Sequence, residues 1–490
     1  ELEKLANLLT SGDVAVSAAI EGLAGIGKTE LAKRLACELS DDGQFSGGIY
    51  WLDSENLDLT AEWVRIAIGL GATGSADELV ARMMARISQA DAPALVVLDN
   101  VQTWNQDTQP APLPSSNCRF LLTTRVLHLG GARFKHFALE ILAPDDARAL
   151  LQKIAGEDIL DSEGAQDLLA HLNGHALGIE LAASYLAEYS GRETPATYLA
   201  KLRAHEHPGL KVMDQTLHGE TVAGVLRLQY ESLEPTIQHA WLAFSCFEPE
   251  TVSRKLMAAS GLDADAERGL RRMHLIKTDE AGCRMHRLVR EFGLSVGEAG
   301  ERESVRKAFI DGMTSTAREM DISTGYRLYL PDRAHFDTLA GGPTAELPPQ
   351  EWSVYLDRIA TAQSSAGLWQ LACANFRLAL ASALENLGED HPSVATRHSN
   401  LASILYSMGE LPEAEQLERA VLEWSESRLG PTHPSTGHRA ANLMFTLRKL
   451  GRTEEAKNLA KQALEIAQHQ PKGSGIRDYI EDSCGWAIEE

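Results

Sequence analysis

The sequence has few cysteines, little positive charge and no long apolar run. Its six cysteines are scattered without a CxxC pair, which argues against a disulfide framework or a cysteine-rich zinc cluster and favours a reducing, cytoplasmic location. Lysine and arginine number 46 against 69 aspartate and glutamate residues, a net charge of −23, so nonspecific nucleic-acid binding is disfavoured. No apolar run reaches the roughly 18 residues of a membrane span, and no signal peptide is visible. We therefore expect no membrane partner.

The chain is long enough, at 490 residues, for about three or four domains, each with its own core. It begins at Glu1 in a helical pattern and has no initiating methionine. We therefore expect a fragment that lacks an N-terminal domain.

A glycine-rich motif, GLAGIGKT, lies between the apolar run Val14–Ile20 and the helical pattern Glu30–Leu39. Phosphate-binding loops occupy this position, at a turn from a strand to a helix. Glycines allow the tight turn and direct backbone N–H groups at phosphate oxygens. A merely flexible turn is the alternative, but every position of the phosphate-loop pattern is met. The predicted contacts are Gly22, Gly25, Gly27 and Lys28 with phosphates, and the Thr29 hydroxyl with Mg²⁺.

After this motif, apolar strands alternate with helical patterns, which is typical of a parallel sheet covered by helices. Strands are predicted at Gly48–Leu52, Ala94–Asn100 and Arg119–Arg125, and helices at Thr60–Leu70 and Ala76–Ser88. Asp99 ends one strand, where a carboxylate is placed to hold Mg²⁺, although a strand-end or capping role is the alternative. Arg125 ends the next strand and either senses a γ-phosphate or remains a solvated charge.

Four ordered motifs, GLAGIGKTELA, FSGGIYWL, ALVVLDNV and FLLTTR, resemble the NB-ARC module of the STAND class of signalling ATPases. The resemblance implies a switch in which ADP holds the protein closed and exchange for ATP opens it for oligomerisation. Lys28, Asp99 and Arg125 are then the expected catalytic residues. Asn100 stands where the family often has an acid that polarises water, so we expect slow hydrolysis. Ala176 replaces a family proline near the adenine, and the neighbouring His175 is interpreted as a surface residue.

Short helical patterns between Val222 and Val296 end in a helix, a β-wing predicted across Glu280 and Ala281, and another helix. This arrangement resembles the winged-helix domain of the same family. His286 matches the histidine of the family's Met-His-Asp motif, which implies contact with the β-phosphate of ADP in the closed state. A capping or packing role is the alternative for this histidine. The adjacent Arg271 and Arg272 suggest DNA contact, which the surrounding acidic residues argue against.

The C-terminal region repeats itself, since LGEDHP at Leu387–Pro392 returns as LGPTHP at Leu429–Pro434. The same interval separates Gly367, Gly409 and Gly451, and also Ala372, Ala414 and Ala456. These units resemble tetratricopeptide repeats of the kinesin-light-chain type, which stack into a solenoid with a concave protein-binding face. The repeated His-Pro pairs admit a metal-binding interpretation. A proline at the first helical turn explains them better.

These patterns predict a multidomain α/β and α protein. The expected domains are a P-loop parallel-sheet nucleotide-binding domain at 1–143, a helical domain at 144–221, a winged helix at 222–297, a helical connector at 298–350 and a tetratricopeptide solenoid at 351–490. The resemblance implies a switch that binds ATP or ADP with Mg²⁺, senses a protein or peptide trigger and activates an N-terminal effector as a homo-oligomer, with bacterial antiphage defence as its expected use. The alternatives are a DNA-binding transcriptional regulator and a constitutive ATPase, and Asn100 counts against the second.

Overall fold

The computed structural model divides into two compact units. The first comprises Glu1–Thr316 and Leu330–His335, and the second comprises Ala317–Tyr329 and Phe336–Glu490. The structure describes residues 1–10, 17–22, 25–54, 59–72, 74, 76–104, 110–129, 134–205, 217–322, 324–342, 347–471 and 475–484. The first three residues of the predicted strand, Val14–Val16, and the motif residues Leu23 and Ala24 lie outside this description.

A five-stranded parallel sheet forms the centre of the first unit. Its strands are β1 (Ser17–Glu21), β2 (Ile49–Asp53), β3 (Ala94–Val101), β4 (Cys118–Thr124) and β5 (Phe134–Ala138), in the order β2-β3-β4-β1-β5. Four of them coincide with the predicted apolar runs, because strands covered on both faces are apolar along their length. The sequence analysis missed β5, a short edge strand interrupted by Lys135 and His136. The expected parallel-sheet fold class is confirmed.

Helices cover both faces of this sheet. They are α1 (Leu2–Thr10), α2 (Lys28–Asp41), α3 (Thr60–Gly69) and α4 (Ala76–Ser88). Leu5 of α1 and Leu35 of α2 share a buried core with Ile20 of β1. On the opposite face, the rings of Tyr50 in β2 and Trp63 in α3 lie 5.8 Å apart. Because the strands are parallel, their carboxyl ends meet at one edge, which also carries the glycine motif.

Helices make up most of the described part of the following region, which also contains a β-hairpin. Its helices are α5 (Pro144–Ala155), α6 (Ala165–Leu172), α7 (Ala176–Glu188), α8 (Pro195–His205), α9 (Leu217–Ser232), α10 (Pro235–Ser245), α11 (Arg254–Ala259), α12 (Ala264–Arg272), α13 (Arg287–Ser295) and α14 (Ala299–Arg318). Between α12 and α13, β6 (Ile276–Thr278) pairs antiparallel with β7 (Cys283–Met285). The turn of this hairpin contains Glu280 and Ala281, where the wing is expected. The winged-helix assignment itself stays a prediction.

Consecutive helices pack together in the C-terminal region. They are α15 (Gly325–Tyr329), α16 (Arg333–Gly341), α17 (Pro349–Ser365), α18 (Trp369–Leu387), α19 (Pro392–Met408), α20 (Leu411–Arg428), α21 (Pro434–Lys449), α22 (Thr453–Gln468) and α23 (Gly475–Cys484). The repeated glycines, Gly367, Gly409 and Gly451, have φ angles of 77°, 84° and 78°. Glycine recurs there because each inter-helix turn needs a left-handed residue.

The histidines of the two His-Pro pairs cap helices. Nδ1 of His391 accepts a hydrogen bond from the Ser393 N–H at 3.1 Å, and Nδ1 of His433 accepts one from the Ser435 N–H at 3.1 Å. A proline follows each histidine at the start of the helix, where its missing N–H costs nothing. Helix initiation therefore accounts for both pairs.

All six cysteines are free thiols, five of them buried and Cys37 exposed. Burial raises the pKa of the Cys118 thiol to about 11, so this group stays protonated and unreactive at neutral pH.

Within the described part of the chain, no helix combines the length and apolar character needed to cross a membrane.

Candidate nucleotide-binding site

The glycine motif forms a turn that depends on glycine. The φ angles are 73° at Gly25 and 110° at Gly27, in the left-handed region that other residues rarely adopt. A Cβ on Gly22 would lie only 2.8 Å from the carbonyl oxygen of Leu139. Gly27 directly precedes α2, so the first N–H groups of that helix are available to an anion. The turn thus offers the backbone donors that a phosphate requires.

Lys28, the first residue of α2, reaches back over this turn. Its Nζ donates a hydrogen bond to the carbonyl oxygen of Gly22 at 2.8 Å. Burial and, to a smaller extent, the charge of Arg125 lower the pKa of Lys28 to about 8, and Asp99 opposes this shift. A buried ammonium beside a second cation is destabilised until an anion approaches. Lys28 and Arg125 together therefore favour an anionic ligand.

Asp99 is fully buried near the end of β3 and lies against the start of α2. The Thr29 hydroxyl donates to its Oδ1 at 2.9 Å, and the Thr123 hydroxyl donates to the same oxygen. Among the described residues, Oδ2 finds no hydrogen-bond partner although it is buried. Burial raises the pKa of Asp99, because the carboxylate loses its hydration. A hydroxyl beside a carboxylate with an unsatisfied oxygen fits the oxygen-ligand chemistry of Mg²⁺.

His286 reaches the same region from a distant part of the chain. Its Nδ1 caps α13 by accepting a hydrogen bond from the Leu288 N–H at 3.2 Å, as the structural alternative predicts. The residue is exposed to solvent. Desolvation by the surrounding protein nevertheless lowers the pKa of His286, and Arg125 and Lys277 lower it further. A neutral ring whose Nδ1 accepts carries its hydrogen on Nε2. His286 therefore retains one donor for a phosphate oxygen.

Ion pairs connect the hairpin with the nucleotide-binding region. Lys277 of β6 lies 3.6 Å from a carboxylate oxygen of Glu30 in α2 and 3.9 Å from one of Glu180 in α7. Nδ1 of His274 lies 3.1 Å from Glu180. The Lys277 and Glu30 side chains are mostly exposed, at 64% and 69%, so their pairing stabilises this contact only weakly. The Lys277–Glu30 pair therefore separates at small cost in free energy.

His175 is buried, and its interpretation as a surface residue is wrong. Its exposed fraction is 4%, and its Nδ1 accepts a hydrogen bond from the Gly178 N–H at 3.2 Å. The neighbouring Leu177 N–H donates to the carbonyl oxygen of Gly25 at 3.4 Å. A Cβ on Gly25 would lie 3.1 Å from the His175 ring. The start of α7 therefore packs directly on the glycine turn, with Ala176 in place of the family's proline.

A carboxyl pair that the sequence analysis missed lies at the same edge of the sheet. Asp53, at the end of β2, hydrogen-bonds Glu250, and the pKa of Glu250 is raised well above its ordinary value by burial and by Asp53. Arg284 lies 3.8 Å from Glu250 and offsets part of this effect. The raised pKa favours the protonated form of Glu250, whose hydroxyl can then donate to a carboxylate oxygen of Asp53.

Arg125 is exposed directly after β4. It lowers the pKa values of both Lys28 and His286, which places its charge close to both side chains. The structure thus brings together three predicted basic residues from the start of α2, the end of β4 and the start of α13.

Two family models match the chain. The NB-ARC domain model matches residues 1–161. The tetratricopeptide repeat model matches residues 353–427 and 398–469. The matched families are those that the sequence motifs resemble, and they indicate nucleotide binding by the first region and protein interaction by the second.

Two relatives are proteins described as regulatory protein AfsR, from Streptomyces griseus and Streptomyces coelicolor. Each is 28% identical to this chain, over 316 and 358 residues respectively. The matches cover 60% and 69% of this chain but 31% and 35% of the relatives. The chain therefore spans about a third of the length of these proteins.

Solved structures also match. One is a signal transduction ATPase with numerous domains (STAND) that has a tetratricopeptide repeat sensor, from Pyrococcus horikoshii; it is 14% identical, with a TM-score of 0.48, and the match covers 99% of this chain and 79% of that one. Another is a putative kinesin light chain with tetratricopeptide-like repeats from Podosopora anserina, 20% identical with a TM-score of 0.30, covering 37% of this chain and 85% of that one.

Proposed function

Because the chain is an NB-ARC protein with C-terminal tetratricopeptide repeats, we propose that it is a nucleotide-dependent signalling switch of the STAND class. The carrying observation is the position of Arg125, whose charge disfavours protonation of both Lys28 and His286, a cost that a bound anion would offset. In this proposal the glycine turn and Lys28 bind the phosphates of ATP or ADP, and Thr29 and Asp99 hold Mg²⁺. Nucleotide titration of wild type and the Lys28→Ala variant tests it.

The switch depends on His286 because this residue belongs to the hairpin region rather than to the sheet. In the ADP state its Nε2–H donates to the β-phosphate, and the nucleotide thereby bridges the glycine turn and α13. The exposed Lys277–Glu30 pair adds little to this contact. The nucleotide state therefore decides whether the hairpin region stays closed against the sheet.

The tetratricopeptide region is the sensor in this proposal. Stacked helix pairs of this kind present an extended surface to proteins and peptides, and the region carries matched repeats from 353 to 469. A protein or peptide trigger binds its concave face, and the activated protein forms a homo-oligomer. We place this activity in the cytoplasm, where six unpaired thiols are stable.

For the output of the switch, the relatives favour a regulator. Both Streptomyces proteins are described as regulatory proteins, whereas antiphage defence has no support from any match. Any residues encoded upstream of Glu1 would discriminate between these two functions. A DNA-binding helix-turn-helix domain among them would support the regulator, and a TIR or nuclease domain would support defence.

We expect wild-type protein to hydrolyse ATP far more slowly than the median enzyme rate of about 10 per second. Asn100, with a φ angle of 65°, has its N–H bonded to the Thr123 hydroxyl at 3.0 Å, and its amide side chain accepts no proton at neutral pH. Steady-state phosphate release measures the rate, and Asn100→Asp should raise it. Multiple turnovers at ordinary enzyme rates, without any partner, would contradict the switch proposal.

Asp99→Asn should weaken Mg·ATP binding about tenfold, a loss of about 1.4 kcal/mol, because it removes the charge that holds the ion. ATP binding in EDTA should change less than about threefold, a loss below about 0.7 kcal/mol. Titrations with and without Mg²⁺ measure both values, and Asp77→Asn, an exposed site in α4, is the matched control. Equal losses with and without Mg²⁺ would show that Asp99 supports the fold of the site rather than the ion.

A further inference from the structure

Three side chains outside the nucleotide contacts form a cluster with metal-ligand chemistry. Glu21, His128 and His136 each offer one ligand atom, and these atoms all lie within 4.8 Å of one another. Glu21 ends β1, His136 lies in β5, and His128 lies in the turn after β4. We propose that this cluster binds a Zn²⁺ ion.

The strand register explains how the cluster forms. Ala19 pairs with His136 and Glu21 pairs with Ala138 in the parallel β1–β5 ladder. Since side chains two residues apart share a face of a sheet, Glu21 and His136 are diagonal neighbours. Nδ1 of His136 lies 2.6 Å from Oε1 of Glu21. The His128 ring lies 5.3 Å from the His136 ring, centre to centre, at an interplanar angle of 78°.

The cluster is buried at Glu21 and accessible to solvent at its two histidines. Glu21 is only 2% exposed, so its carboxylate needs a compensating positive charge. His136 is 21% exposed, and His128 is exposed. An ion can therefore enter from solvent past the two imidazoles and reach the buried carboxylate.

The donor set favours zinc over the hard cations. Two imidazoles and one carboxylate are common zinc ligands that leave a fourth position for water, whereas Mg²⁺ and Ca²⁺ prefer oxygen ligands. Zinc lies about 2.0–2.2 Å from such atoms, which places neighbouring ligands roughly 3.3 Å apart. The ion takes the place of the hydrogen between Glu21 Oε1 and His136 Nδ1, and the neutral His136 ring then carries its one hydrogen on Nε2. The exposed His128 turns inward to complete the site.

The proposed ion would connect two segments of the candidate nucleotide-binding site. Glu21 directly precedes Gly22 of the glycine turn, and His128 follows Arg125 by three residues. One ion bound to Glu21 and His128 fixes the position of the glycine turn relative to the segment that carries Arg125. Zinc binding itself does not depend on the proposed nucleotide switch.

Calorimetric titration with Zn²⁺, after removal of bound metals by a chelator, tests the proposal on the whole chain. We expect one site per chain in wild type and an affinity at least about tenfold lower in His128→Gly and in His136→Ala. The φ angle of 56° at His128 makes glycine a compatible replacement, so this variant separates loss of a ligand from loss of the fold. His239→Ala is the matched control, since His239 is 51% exposed and lies 3.6 Å from Glu301.

Thermal unfolding supplies the second measurement. Saturating Zn²⁺ should raise the unfolding midpoint of wild type and His239→Ala, because a ligand that binds only the folded state stabilises it. The midpoint of His128→Gly should rise clearly less at the same Zn²⁺ concentration, because its site binds the ion at least about tenfold more weakly. No binding at micromolar Zn²⁺, or binding that survives in both cluster variants, would overturn the proposal and leave Glu21 and His136 as an ion pair.

Discussion

Lys28→Ala is expected to weaken ADP and ATP binding by roughly ten- to over a hundred-fold. The substitution removes a charge-assisted contact worth about 1.5–3 kcal/mol. Lys28 is already held over the glycine turn by its 2.8 Å hydrogen bond to the Gly22 carbonyl oxygen, so little ordering is needed when a phosphate binds. Equilibrium titration with a fluorescent nucleotide analogue, or calorimetry, measures the loss.

The matched control is Lys33→Ala, which removes the same side chain from an exposed position of the same helix. It should leave nucleotide affinity unchanged. A Lys28→Ala variant that binds nucleotide within threefold of wild type would reject the phosphate-loop assignment, since the lost contact would then be worth less than about 0.7 kcal/mol.

The pKa of about 8 for Lys28 adds a pH dependence to this prediction. A bound phosphate raises the pKa of the ammonium, so its contribution is complete below pH 8 and is lost as the pH rises toward the higher pKa of the complex. Affinity should therefore fall by up to about tenfold between pH 8 and pH 9. Lys28→Arg keeps its charge over this range, so its affinity should stay flat. An equal decline of nucleotide affinity in wild type and Lys28→Arg would show that another group causes the pH dependence.

His286→Ala should raise the open population some five- to thirty-fold. If the imidazole donates to the β-phosphate only in the closed ADP state, its removal costs that state about 1–2 kcal/mol, and an equilibrium shifts by this differential energy alone. The variant should oligomerise with ATP at a lower trigger concentration, or without any trigger. Size-exclusion chromatography with light scattering, in ADP and in ATP, measures the shift.

The cap that His286 forms on α13 requires a separate control. His286→Ser removes the imidazole but keeps an oxygen that can cap the helix, so it should shift the equilibrium as His286→Ala does. His433→Ala removes a histidine cap of the same geometry from α21 and should not shift it. If a folded His286→Ala variant binds ADP as well as wild type and keeps its trigger dependence, the capping role explains this residue.

The nucleotide-binding region could be predicted closely where local patterns carry the information. The phosphate loop needs left-handed backbone at Gly25 and Gly27, and only glycine adopts it freely. Ala94–Val101 is apolar along most of its length because both faces of the central sheet are covered. Each of these constraints acts on neighbouring residues, so the sequence displays it directly.

The missed features depend on contacts between distant residues. β5 is a polar edge strand, and it forms because β1 supplies its hydrogen-bond partners. His175 is buried because α7 packs on the glycine turn. Asp53 meets Glu250 across an interface between two segments far apart in the chain. No local periodicity marks such contacts, since each partner looks like an ordinary polar residue in its own segment.

The sequence by itself determined that this chain has a phosphate loop, a parallel sheet and tetratricopeptide repeats, because backbone conformation and strand burial restrict residue type position by position. Only the tertiary structure decided which side chains meet. It placed Arg125 near both Lys28 and His286, and it brought Glu21 and His136 together through the register of two strands. The physical reason is that electrostatic and metal-ligand interactions depend on distance in space, and chain folding alone sets that distance for residues remote in sequence.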